Sequence, residues 1–179
     1  MRALLAFLLI LGPAASSVAQ SAAQKPDWTA WKFLIGDWVS DGPATQGSGA
    51  FSFRPELDGR ILVRRNRADL PASQEHPSTS HDDLLILYPE AGALRADYFD
   101  NEGHVIHYRA AVASDGKSAT FISDPAPGAP RFRLSYALLA EDRVHVRFEI
   151  APPGQPDGFK TYVEGTVRRA QREPEHATR

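Results

Sequence analysis

Acidic-glycine pairs punctuate this chain at Asp41-Gly42, Asp58-Gly59, Glu102-Gly103, Asp115-Gly116 and Asp157-Gly158. Each glycine can take the left-handed backbone conformation that a tight turn requires and that other residues reach only at a cost. The stretches between them are rich in Val, Ile, Leu, Phe and Tyr, and many alternate apolar with polar residues, as a strand does when one face is buried and the other wet. Ten such segments can be drawn, roughly 37–42, 47–55, 61–70, 82–88, 93–100, 104–113, 118–123, 131–140, 143–151 and 159–169. A regular series of short strands joined by glycine turns predicts one all-β domain, a sandwich or a barrel. Only residues 27–35 read as helical, with Asp27 as N-cap and Gly36 as the stop.

The ends of the chain carry different signals. Arg2, the apolar run Ala3 to Leu11, the breaker Gly12-Pro13 and the small residues Ser17-Val18-Ala19 form the pattern of a secretory signal peptide cut after Ala19, which predicts a periplasmic or secreted protein. The apolar run is too short for stable membrane insertion. Residues 20–26 read as a linker and 27–170 as the folded domain, while 171–179 lack large apolar side chains and are expected to be disordered. With no cysteine, neither a disulfide nor a lipidated thiol is available, so a packed core must hold the domain together. The net charge of -2 argues against a nucleic-acid partner, since acidic residues balance the basic clusters at 64–67 and 168–169.

Turn length sets strand register, and register decides which side chains face inward. A three-residue loop Asn101-Glu102-Gly103 sets Asp100 opposite His104, Tyr98 opposite Ile106 and Ala96 opposite Tyr108, which gathers one apolar face and leaves Asp97 and His107 outside. The same logic applied to Leu57-Asp58-Gly59 pairs Glu56 with Arg60 and points Ile61, Val63 and Arg65 inward. The expected inner face then holds Phe51, Phe53, Ile61, Val63, Arg65, Tyr98, Ile106, Tyr108, Phe132, Leu134, Tyr136, Val146, Phe148 and Val163. A cation on such a face demands an anion or water, and no acidic residue is expected beside it.

The segment FLIGDWVSDG (Phe33 to Gly42), a short helix before it, and antiparallel strands ending in TYVEGTVRRA together resemble the calycin superfamily: lipocalins, fatty-acid-binding proteins and nitrobindin-type barrels. LDGRILVRR (Leu57 to Arg65) and LRADYFDNEGH (Leu94 to His104) are similar to exported bacterial lipocalin-like domains. The resemblance covers almost the whole mature chain. It implies an up-and-down antiparallel barrel of roughly ten strands, closed at one end by the N-terminal helix. It also implies that Gly36 and Trp38 form the G-x-W motif of the first strand, with Arg168 or Arg169 packing on the tryptophan; Arg168 is taken as the partner.

A small hydrophobic or amphipathic ligand inside the barrel is the function expected from this reading. Arg65 would orient an anionic end, with Tyr98, Tyr108, Tyr136, Phe51, Phe53 and Phe148 lining the pocket and Asp100 and His104 at its rim. The alternative is a heme or metal-dependent enzyme of the nitrobindin kind. For heme, an axial ligand would have to be histidine or tyrosine, because Met1 is the only methionine and leaves with the signal peptide. His107 and His145 are expected to face outward, and His76 and His81 to lie in a polar loop. No catalytic residue, resident cofactor or metal ligand is assigned, since the chain lacks a nucleophile elbow, a phosphate loop or a helical zinc motif.

Overall fold

The alternating segments form ten strands: β1 (Gly36–Ser40), β2 (Ser48–Glu56), β3 (Ile61–Leu70), β4 (Thr79–Glu90), β5 (Ala93–Asp100), β6 (Val105–Val112), β7 (Ser118–Ser123), β8 (Arg131–Ala140), β9 (Arg143–Ala151) and β10 (Lys160–Arg169). The coordinates are a computed structural model that describes residues 25–43, 48–72 and 77–171. The expected signal peptide, most of the expected linker and most of the expected tail lie outside the described residues, as do His76 and His176. Every strand pairs antiparallel with its sequence neighbours, and β1 also pairs with β10, closing the sheet into a barrel. Closure removes the sheet edges that would otherwise invite aggregation.

In place of the expected helix over 27–35 there is a single 3-10 turn, Thr29–Trp31. Asp27 still acts at its start, its Oδ1 accepting a hydrogen bond from the Thr29 amide at 2.8 Å. This short segment folds under the barrel and buries Trp31 and Leu34 beside Trp38. Trp28 reaches the β2–β3 loop, where its Nε1 donates to the Gly59 carbonyl at 2.8 Å.

The G-x-W motif and an arginine from β10 form the floor. Trp38 is fully buried, donates from Nε1 to the Leu34 carbonyl at 2.8 Å and stacks on Phe51. The partner is Arg169 and not Arg168, because register sets Trp38 opposite Arg169 and turns Arg168 to the outer face near Asp41. The Arg169 guanidinium lies 4.4 Å from the Trp38 ring and donates to the carbonyls of Ile35 at 3.0 Å and Phe33 at 3.3 Å. That fit explains Gly36. Its φ is +129°, and a Cβ there would stand 2.9 Å from Arg169 Nη1.

Above the floor, Phe51, Phe53, Tyr136, Phe121 and Tyr108 form a chain of edge-to-face ring contacts, and Trp31 joins it at Phe121. These rings fill the closed half of the barrel with large area at little rotamer cost.

Candidate functional site

The β2–β3 hairpin decides what chemistry the bore contains. Its loop has four residues, Leu57 to Arg60, so Glu56 pairs with Ile61 instead of Arg60. Leu57, Asp58 and Gly59 all take positive φ, at 50°, 56° and 77°. The loop is closed by bonds from the Gly59 amide to the Glu56 carbonyl and from the Arg60 amide to the Leu57 carbonyl. Trp28 and Lys25 grip it from below, with Lys25 Nζ 2.6 Å from Asp58 Oδ2.

One extra loop residue inverts the whole of β3. Leu62, Arg64 and Asn66 now face inward, while Ile61, Val63 and Arg65 face outward, contrary to the expectation from the sequence. Arg65 has a side chain 66% exposed and lies 3.4 Å from Glu56 Oε1 on the surface. The inward cation is its neighbour Arg64, which is 6% exposed. Val63 stays buried on the outer wall, so inversion strands little apolar surface.

Arg64 has an acidic partner after all. Strand β4 starts at Thr79, earlier than the expected 82, and its inward positions carry His81, Asp83, Leu85 and Leu87. Arg64 Nη1 donates to Asp83 Oδ1 at 2.5 Å, and Asn66 Nδ2 donates to Asp83 Oδ2 at 2.8 Å. The Asp83 side chain is 4% exposed. The other face of the guanidinium lies 5.4 Å from the centre of the Phe51 ring.

From this pair a chain of polar contacts climbs to the rim. His81 Nε2 stands 3.5 Å from Asp83 Oδ2 and 2.9 Å from the Tyr98 hydroxyl, while its Nδ1 is 3.0 Å from Glu102. Tyr98 donates to Asp100 Oδ2 at 3.3 Å, and His104 Nδ1 lies 2.9 Å from the same oxygen. The β5–β6 register is the expected one, with Tyr98 opposite Ile106, Ala96 opposite Tyr108 and Asp97 opposite His107. Asp100 also ties the turn, its Oδ1 accepting from the amides of Glu102 and His104. Burial works to raise the Asp100 carboxyl, but hydrogen bonds from the His104 amide and ring and the Glu102 amide outweigh it, and the pKa is lowered. Burial raises the phenols of Tyr98, Tyr108 and Tyr136, so all three stay neutral hydroxyls at ordinary pH.

Among the described residues, two buried polar atoms of this cluster lack a hydrogen-bond partner: Arg64 Nε and the Tyr136 hydroxyl. Such groups are costly to leave unsatisfied.

The bore is graded along its axis. Phe53, Tyr108, Phe121 and Tyr136 are buried, whereas Tyr98, Ile106, Phe132 and Phe148 face inward by register yet are only partly buried. Val163 faces inward opposite Phe148 and is 57% exposed. The reason is local: β1 pairs with β10 only at Val167 to Arg169, so the first half of β10 has no β1 neighbour. Phe132 and Phe148 stack with centroids 5.9 Å apart on the same wall. The upper half of the inner wall, the cup, is thus less buried than the aromatic plug below it, and Arg64 lies against Phe51 of that plug.

Of the sequence-expected site residues, the structure brings Phe51, Phe53, Tyr98, Tyr108, Tyr136 and Phe148 to the inner wall and Asp100 and His104 to the rim. It adds Arg64, Asn66, His81 and Asp83. Asp83 was readable, because Asp83, Leu85 and Leu87 share one face by simple alternation. His107 and His145 face outward as expected, near Asp97 at 2.6 Å and Glu164 at 3.4 Å. Among the described residues, no group of three or more His, Cys, Asp or Glu side chains is arranged to hold a metal ion. Nor is any helix among them long and apolar enough to cross a membrane. No protein-family model matches the chain, and no curated protein matches it.

Proposed function

We propose that this barrel binds a small apolar or amphipathic molecule against the less buried upper half of its inner wall. The observation that carries this reading is the inward-facing but only partly buried wall of Tyr98, Ile106, Phe132 and Phe148 above the fully buried aromatic plug. Barrels hold ligands in such places, where apolar walls supply affinity and a few polar groups fix orientation. The G-x-W motif with Arg169 on the tryptophan, on a closed ten-stranded antiparallel barrel, supports a place among lipocalin-like calycins. The leader pattern from Arg2 to Ala19 supports delivery to the periplasm or the outside, which the intact mass of the mature protein tests.

A heme or metal-dependent activity gains no comparable support. His107 and His145 face away from the bore, and both ring nitrogens of His81 are engaged by Glu102 and Tyr98. To test the binding reading, a neutral polarity-sensitive dye is titrated into the wild type and into Phe148→Arg, which places a cation across the cup. Saturable binding lost in the variant is expected. Equal dye binding by both proteins would remove the cup as the site.

A further inference from the structure

The upper wall carries a row of aromatic rings that opens to solvent at one end. Phe132 and Phe148 lie nearly parallel, 9° apart with centroids at 5.9 Å, and Tyr162 meets Phe148 edge to face at 6.2 Å. The row crosses β8, β9 and β10 and grows more exposed toward its end: Phe132 and Phe148 are half-buried, whereas Tyr162 is 74% exposed. A ligand therefore needs no path through the packed interior to reach it.

Tyr162 owes its place to a bulge. The β9–β10 register jumps between Thr161, opposite Glu149, and Val163, opposite Phe148, so Tyr162 is the extra residue of β10. In a regular strand Tyr162 and Val163 would point to opposite faces. With the extra residue both come to the Phe148 side, Val163 by register and Tyr162 by ring contact. Bulges re-aim side chains in this way and are frequent beside functional sites. Among the described residues, β1 pairs with β10 only from Val167 onward, so no strand flanks Tyr162 on its other side.

The shape of the row selects the ligand. A wall that is open at its edge cannot surround a flexible chain, and a chain touched from one side buries little of its surface. A flat ring system buries a whole face against a single wall and has few rotors to immobilise, and ring-on-ring contacts add to the area term. A sugar could also lie flat, but its hydroxyls would need partners, and the inward neighbours of the row by register are Leu134, Ile150 and Val163.

On the reading that the upper wall is a binding site, we infer that its ligand is a small planar aromatic molecule laid against Tyr162 and Phe148.

The test uses the whole protein with the neutral dye bound, displaced at neutral pH by uncharged hydroxyl compounds of equal carbon count: naphthol, decahydronaphthol and decanol. Naphthol is expected to bind about two- to tenfold more tightly than decahydronaphthol, which has the same skeleton without the flat rings. Tyr162→Leu, at an exposed position, should erase that preference and leave decahydronaphthol and decanol unchanged, whereas Tyr162→Phe should keep it. Decahydronaphthol binding as tightly as naphthol to the wild type overturns this inference while leaving the wall as a site. So does a naphthol preference that Tyr162→Leu does not touch. If none of the probes displaces the dye, the binding reading itself falls and this inference falls with it.

Discussion

The Arg64–Asp83 pair supplies the sharpest test of the register that defines the bore. Arg64 is 6% exposed and the Asp83 side chain 4% exposed, so each is stranded in a poorly solvated wall when its partner is removed. Breaking a buried pair from one side costs about 3–5 kcal/mol. Arg64→Met belongs at the low end, about 3 kcal/mol, because Asn66 still binds Asp83 Oδ2. With a urea slope of about 1–3 kcal/mol/M, that loss moves the unfolding midpoint down by roughly 1–3 M. The double variant Arg64→Met with Asp83→Leu removes both charges together and should recover most of the loss, or exceed wild type, since apolar replacement of buried pairs is often neutral or stabilising. Arg65→Met, on the surface, should change stability by no more than about 0.5 kcal/mol. The assay is urea unfolding followed by fluorescence of the three tryptophans, all of which lie buried at the floor and turn. If Arg65→Met proves the costly variant and Arg64→Met the silent one, the hairpin has the three-residue loop and the bore described above is wrong. If the double variant loses the sum of the singles, the two side chains do not form a pair.

The remaining predictions concern the floor and the acid limit. Trp38→Ala should lower stability by about 3–5 kcal/mol, since it empties the floor and removes the ring beneath Arg169; an unchanged urea midpoint would show that this ring is not structural. Gly36→Ala should cost about 1–3 kcal/mol from its positive φ, with the crowding at Arg169 adding to it, and a thermal midpoint equal to wild type would refute the close approach. Acid should also weaken the fold in a definable window. The Arg133 hydrogen bond lowers the Glu149 carboxyl below 4.5, and hydrogen bonds that outweigh burial lower Asp100 below 3.8. A folded pKa below the unfolded one gives stability that is complete above the unfolded value and is lost as pH falls through the folded value. The thermal midpoint should therefore hold steady at neutral pH and drop below about pH 4, and Asp100→Asn should start lower and fall less steeply; an equally steep fall in the variant would clear Asp100 of the role.

How far the sequence could be read depended on what each turn left open. Between Asp100 and His104, only one loop length gathered Tyr98, Ile106 and Tyr108 on one face, so burial alone selected the observed register. Between Glu56 and Ile61, both registers buried something worthwhile: Ile61 and Val63 in one, Leu62 in the other. Local alternation could not break that tie. It was broken at long range, by Trp28 and Lys25 holding the loop and by Asp83 waiting across β4 for a cation. The choice between Arg168 and Arg169 failed for the same reason, since one residue of register on β10 separates a guanidinium on Trp38 from one near Asp41. The short helix was overread because the apolar residues Trp28, Trp31 and Leu34 have helical spacing, while the chain bends into β1 after one turn.

The division of the barrel into two halves bears on why the polar cluster is there at all. The closed half carries interlocked rings, a buried tryptophan floor and an arginine that caps three separate groups, and these features suffice to explain cooperative folding. The Arg64–Asp83 pair adds no comparable stability, because desolvating two charges roughly cancels their attraction, and two polar atoms beside it remain unpaired. A leucine and a methionine at these positions would satisfy packing better than a guanidinium that leaves its Nε–H idle. What the pair does supply is register: with Asn66, His81 and Tyr98 it ties β3, β4 and β5 to one another.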